Sequence, residues 1–221
     1  MNNNIKQVDI KQNLIKSSNF LPSISEAEEM HQKITGISFE EIKIEDELFK
    51  EHHFQTIIFK NCTFEEVSFI DCSFDNVFIL NSTFIDCDFS YSWFSQCKFE
   101  QSQFINGDFK NAKFAHFTVI DCSLCYGNFN HSKFENCDIV NSNLSESFFS
   151  ECKLKNFNTD HSNFNTADFF KTSLKGVDFT NCDIDHICIS DNWCELRGMV
   201  VNPFQAAQLA KFLGVKVRDE F

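Results

Sequence analysis

The chain has 221 residues, 32 of them acidic and 19 basic, giving a formal net charge of −13 and a pI near 4.9. That charge argues against nucleic acid or an anionic membrane as a partner and favours a cationic one. No apolar run approaches the ~20 residues of a transmembrane helix, and Met1-Asn2-Asn3-Asn4 opens without a signal-peptide core, so the expected setting is the cytoplasm.

Residues 1–38 read as an irregular N-terminal segment with weak repeats and a short helix. Ile5, Ile10, Ile15 and Phe20 keep a five-residue rhythm whose register does not run on into Phe39. Pro22 followed by Ser25-Glu26-Ala27-Glu28 has the capping-box pattern. Ala27, Met30 and Ile34 then share one helical face before Gly36, which predicts about two turns of helix covering the first coil edge.

From Phe39 to Cys194 one apolar residue, most often Phe, recurs at every fifth position without a slip of register. Two residues before it stands a small side chain, as in Cys62, Cys72, Ser82, Cys87, Ser92 and Cys97. A period of five fits neither a helix at 3.6 nor a flat strand at 2, so the backbone must turn once per repeat and bring the large residues to a common axis. Eight of the eleven cysteines occupy the small position, which predicts compact buried thiols rather than disulfides or a metal site. Phe157 and Thr159 exchange the large and small roles, and no outward loop interrupts the register after Phe54. Glu47 and His52 stand where small residues belong, which predicts irregular coils before Phe54.

After Cys194 the repeat stops, and residues 195–221 read as a strand-helix-strand module. Leu196-Arg197-Gly198-Met199-Val200-Val201 has strand character. Asn202 as N-cap, Pro203 at the first helical position and Gln205 at the third predict a helix to Leu213 that ends at Gly214, with Val215-Lys216-Val217 as a final strand. The helix is more apolar than one buried face needs, so Leu196, Met199, Val200, Phe204, Ala207, Leu209, Phe212 and Leu213 are the expected surface of a homodimer.

The motifs Cys62-Thr63-Phe64-Glu65-Glu66, Cys72-Ser73-Phe74-Asp75-Asn76 and Cys97-Lys98-Phe99-Glu100-Gln101 resemble those of the pentapeptide-repeat proteins. The resemblance implies an all-β solenoid, a right-handed four-sided β-helix with 20 residues per coil. On that count residues 39–194 make nearly eight coils, a rod of roughly 38 Å at ~4.8 Å per coil. The tail, with Leu174-Lys175-Gly176-Val177-Asp178-Phe179 before it, is similar to the ending of the Qnr-type quinolone-resistance branch. That resemblance implies a twofold dimer through the C-terminus and protection of the type II topoisomerases DNA gyrase and topoisomerase IV by an acidic, DNA-like rod. The projecting loops of many branch members are absent here, so any loop-based mechanism does not carry over.

Sorting residues by coil makes the rod unequal across its width. The side holding Phe64, Phe84 and Phe104 displays Glu65, Glu66, Asp86, Glu146, Asp183 and Asp185, and from Phe64 onward no base. The next side displays Asp71, Asp88, Asp108, Glu151, Asp168 and Asp191 against Lys110 and Lys171. These acids, Asp191 aside, are the expected partner-binding residues. The side opposite the first carries Lys113, Lys133 and Lys153, with Lys155 and Lys175. From Phe39 to Cys194 there are 25 acids and 11 bases, a diluted imitation of duplex DNA. No Ser-His-Asp order, phosphate loop or metal-ligand spacing occurs, so neither catalysis nor a cofactor is expected. The alternative reading is a structural scaffold or adaptor for an unknown protein, because the repeat alone does not determine function.

Overall fold

The protein is described from a computed structural model covering residues 14–30 and 32–218. From Ile34 to Cys188 backbone pairing follows a twenty-residue spacing. Ile34, Phe54, Phe74, Phe94, Phe114, Phe134 and Leu154 are successive partners across parallel strands. Ile44, Phe64, Phe84 and Phe104 form a second such series, and Phe39, Phe59, Ile79, Phe99, Val119, Ile139 and Thr159 a third. The remaining side pairs through single bridges from Leu48 to Cys188. The result is a four-sided β-solenoid of about seven turns.

The four sides are named from Phe64 onward: the first holds Phe64, the second Phe69, the third Phe74 and the fourth Phe59. From Glu41 to Lys171 each corner falls two residues after the inward one, in the left-handed region, with φ between 46° and 62°. Branched residues resist that conformation, whereas Asn and Asp tolerate it. Asn accordingly recurs at corners such as Asn61, Asn81, Asn111 and Asn141. Asn81 also donates its amide to Asn61 one coil away at 2.7 Å.

Inside, the rings stack coil on coil. Phe74 and Phe94 lie 4.7 Å apart and within 3° of parallel, and Phe84 and Phe104 are 4.8 Å apart at 4°. The small column beside them knits adjacent coils. Ser82 Oγ accepts from the Cys62 backbone N–H at 3.0 Å, Ser92 Oγ does the same for Cys72, and the Cys62 thiol donates to the Phe39 carbonyl at 3.3 Å. Burial pushes the thiols of Cys72, Cys97, Cys137 and Cys152 up to about 12, so they remain protonated donors. All eleven cysteines are free. Phe157 takes the inward place in its coil and meets Phe134 edge-on at 5.4 Å, while Thr159 Oγ1 donates to the Asp178 carbonyl.

The ends depart from the sequence expectation in several places. Helix α1 spans Phe20–Met30, so Ser25 is an interior residue whose hydroxyl bonds back to the Leu21 carbonyl, and its capping-box pattern caps nothing. The buried face is Phe20 and Ile24 rather than Met30, which is exposed. Phe20 enters the axis and meets Phe39, Phe49, Phe59 and Phe64 edge to face at 5.0 to 5.8 Å, plugging the first coil. Ile15 lies in a strand, Ile15–Ser17, paired with Ile37–Phe39, whereas Ile5 and Ile10 fall outside the described residues. The coils before Phe54 keep the pairing register in spite of Glu47 and His52. His52 is half-buried, with its ring against Phe49 and Phe54.

At the other end Cys194 does not continue the inward row. Cys194–Leu196 is a 3-10 turn, Cys194 is exposed, and Glu195 is buried in its place. The Glu195 carboxylate accepts from the Lys171 N–H and the Ser190 hydroxyl, both at 2.8 Å. Helix α2, Pro203–Ala210, begins with the expected Asn202–Gln205 capping box, and a 3-10 turn carries it on to Leu213 before Gly214 at φ 73°. Neither flanking strand forms. Val200 makes one bridge to Asp178, and Val215–Val217 has no ladder partner among the described residues.

Candidate functional site

The first side brings acids together at its N-terminal end. Asp46, Glu66 and Asp86 occupy the same corner in three successive coils, so their carboxylates stand one above another. The Asp46 carboxylate beside it holds the Glu66 carboxyl above its ordinary range, with Asp86 and Glu65 adding to the repulsion. Asn106 continues the corner and donates to Asp86 at 2.9 Å. Glu65 lies on the adjacent strand position, half-buried.

One base stands on this side that a reading from Phe64 onward misses. Lys43 lies in the strand paired with Thr63–Glu65 and forms an ion pair with Glu45, with Glu65 at 3.9 Å. The acidic column is also discontinuous. Between Asp86 and Glu146 the corner carries Asn106 and Tyr126, and the Tyr126 hydroxyl donates to Glu146 at 2.9 Å. Asp183 and Asp185 form a separate acidic group on the last coil, so the side has two charged ends and a neutral centre.

On the second side the acids are differently employed. Asp88, Asp108 and Asp168 each fold back on a backbone N–H two residues on, at Ser90, Lys110 and Phe170, over 2.7 to 2.9 Å. Burial, more than any other cause, pushes the Asp108 carboxyl up, against the lowering effect of its bond from Lys110 N–H. Ser150 also donates to Asp168 at 2.8 Å. Glu151 is held by Lys171 at 3.2 Å and by His131 at 3.6 Å. Asp71 is exposed at its corner. These folded-back aspartates serve the turn, a role legible from Asx residues placed two before a backbone donor.

The expected dimer residues divide as well. Leu196, Met199 and Leu209 pack against the chain's own core and Ala207 is half-buried. Val200, Phe204, Phe212 and Leu213 remain exposed, Phe204 at 72% and Leu213 at 61%. Burying such surface contributes ~25 cal/mol per Å2, so the module leaves a free apolar face. A cavity of about 550 Å3 lies between this helix and the last coil, lined by Ile184, Ile187, Ile189, Leu209 and Phe212 among others. Among the described residues no cluster of His, Cys, Asp or Glu has the spacing to hold a metal ion, and no helix is long and apolar enough to cross a membrane.

Compared with known proteins, residues 57–125 match the family description of a pentapeptide repeat region, and residues 120–156 and 149–184 match that of pentapeptide repeats in eight copies. Together these spans cover more than half of the chain. No curated protein sequence matches. Among solved structures, a trypsin-treated variant of QnrB1, described as a plasmid-mediated fluoroquinolone resistance protein, aligns at 16% identity and a TM-score of 0.46, over 82% of this chain and 99% of that one. Full-length QnrB1 aligns at 14% identity and 0.45, over 80% and 100%. HetL, a pentapeptide-repeat protein involved in heterocyst differentiation regulation in the cyanobacterium Nostoc, aligns at 7% identity and 0.32, over 75% and 90%.

Proposed function

The chain belongs to the pentapeptide-repeat proteins, and from that premise we propose that it acts without catalysis, as an acidic rod that docks in the DNA-binding groove of a type II topoisomerase and lowers its sensitivity to quinolones. The observation that carries this reading is the stacked carboxylate column Asp46, Glu66 and Asp86, with Glu65 beside it. Carboxylates held in repulsion on a rigid support gain most when a basic groove neutralises them. The tail's resemblance to the Qnr-type branch points to the same enzyme class, and the exposed Phe204, Phe212 and Leu213 support a homodimer that doubles the rod.

The neutral centre of the first side and the second-side aspartates spent on turns make the imitation weaker than duplex DNA. Real DNA therefore displaces the rod, which suits a protector rather than a tight inhibitor. The scaffold reading is favoured by one observation, that Asp88, Asp108 and Asp168 serve the fold itself. The test is to express the chain in a quinolone-sensitive bacterium and measure the inhibitory concentration beside supercoiling by purified gyrase. A rise in the first, with drug protection in the second, supports the topoisomerase reading; no change in either leaves the scaffold.

A further inference from the structure

The third side carries a column that the acidic reading leaves unused. Trp93, Lys113, Lys133 and Lys153 are successive Cα partners on parallel strands, so one indole and three ammonium groups stand in line at the ~4.8 Å spacing of neighbouring strands. All four are exposed, Trp93 at 54%, and Tyr91 at 57% flanks it across the corner. None of the three lysines has an ion-pair partner among the described residues. The nearby carboxylates of Glu135 and Glu151 are engaged by Lys155 and Lys171 instead. Like charges directly opposite one another in paired strands are unfavourable. The repeat does not require lysine there, since Ser73 and Ser173 occupy the same position in other coils.

We propose that this column binds single-stranded nucleic acid, with successive phosphates on Lys113, Lys133 and Lys153 and a base stacked on Trp93. A flat cationic track ending in an exposed aromatic face matches the way single strands are held, by backbone electrostatics plus stacking. A duplex keeps its base faces covered, and an acidic peptide offers nothing for the indole to stack on. The net charge of −13 does not forbid this at contact range. The opposite acidic column stands across the width of the rod, on the order of 10 Å or more away, whereas the phosphates would meet the lysines in direct contact, and through solvent the acids are further weakened by the ~8 Å screening length of physiological salt. The lysines facing the strand then dominate. The inference does not rest on the topoisomerase reading, because the acidic column and the lysine column lie on opposite sides.

The test uses the full chain with Trp193→Phe, so that Trp93 is the remaining indole, titrated with a short oligothymidylate across a salt series. The expected result is quenching of Trp93 fluorescence, with an affinity that falls with salt at a logarithmic slope of about −2, from ~0.7 per phosphate over three phosphates. Lys113→Gln, Lys133→Gln and Lys153→Gln together should flatten that slope. Lys43→Gln, Lys50→Gln and Lys60→Gln, which remove the same charge elsewhere, should leave it unchanged. Trp93→Ala, followed by anisotropy of a labelled strand, should weaken binding about 5- to 140-fold. No binding at low salt, or binding indifferent to the lysine column, overturns the proposal. So does equal competition by poly-glutamate or by a duplex, which would reduce the column to a patch for acidic peptides or for charge alone.

Discussion

Gln205 closes the last coil by donating its side-chain amide to the Cys182 carbonyl at 2.6 Å, and it reaches the Phe179 carbonyl at 2.9 Å with the same nitrogen. Its carbonyl oxygen accepts from Asn202 N–H at 2.8 Å, so one buried side chain both starts helix α2 and satisfies the open edge of the solenoid. Gln205→Ala leaves the Cys182 carbonyl buried and unpaired, while the Phe179 carbonyl keeps the Cys182 N–H at 2.8 Å, and should cost roughly 1–3 kcal/mol. Gln205→Glu should cost more at neutral pH, since a carboxylate would then face two carbonyl oxygens. Urea unfolding followed by circular dichroism measures both; an alanine variant as stable as the parent would mean that water caps the edge equally well.

Phe104 lies fully buried at the middle of the rod, stacked on Phe84 at 4.8 Å and on Phe99 at 4.6 Å. Phe104→Ala should destabilise the protein by roughly 3–5 kcal/mol, the transfer term plus an unfilled cavity. A loss under ~1 kcal/mol would mean that neighbouring rings collapse into the gap and that the column is softer than its stacking implies.

The thiols give a prediction with a sign. Burial raises Cys72, Cys97, Cys137 and Cys152 to about 12, and Cys87 and Cys122 to about 11, from a reference of 9.0. A raised folded-state value means that their contribution to stability is complete below pH 9 and is lost as pH climbs from there toward 12. Iodoacetamide at pH 8 should label Cys188 and Cys194, which are exposed, quickly and Cys125, half-buried, slowly. Mass spectrometry of the native protein reads the count, and rapid modification of the eight buried cysteines would contradict the burial.

The C-terminal module should dimerise the rod. Phe204→Asp with Phe212→Asp places charge on the exposed apolar face while the packed Leu196, Met199 and Leu209 stay intact. Light scattering should then report a monomer, with the solenoid's circular dichroism unchanged. A dimer that survives both changes would place the interface elsewhere.

Much of this fold is legible in the sequence because a strict period leaves the backbone little choice. Phe39 to Ile189 can be assigned to an axis, a coil and a side by counting, and Asn202-Pro203-Gln205 reads as a helix start from local chemistry alone. Counting fails where tertiary burial decides. Ser25 has the neighbours of an N-cap, yet the helix starts at Phe20 because that ring fills the mouth of the first coil. Nothing marks Glu195 as buried, since its partners, the Lys171 N–H and Ser190, assemble only once the last coil is laid down. The candidate interface was legible as a sign of charge on a side, and less so as chemistry. Asp88 and Asp86 differ by two positions, but the first bonds the Ser90 N–H while the second faces its corner neighbour Asn106 and the solvent.

That difference sharpens the test of electrostatic docking. Glu65, Glu66 and Asp86 line the N-terminal end of the first side with their charge turned outward, and only Lys43 stands among them. Reversing these three to Lys should weaken topoisomerase binding strongly, because favourable contacts become repulsive ones. Reversing Lys113, Lys133 and Lys153 to Glu, on the opposite side, should change it little. All six side chains point away from the Phe column, so each triple change should cost little stability. The second-side aspartates are the control within the acidic surface: Asp108→Asn removes a charge while keeping an acceptor for the Lys110 N–H, and should shift binding less than Asp86→Asn. Gyrase affinity measured for these variants across a salt series decides the matter. Equal losses from the two triple changes would show that net charge acts without sidedness, and no loss from either would remove electrostatic mimicry as the basis of binding.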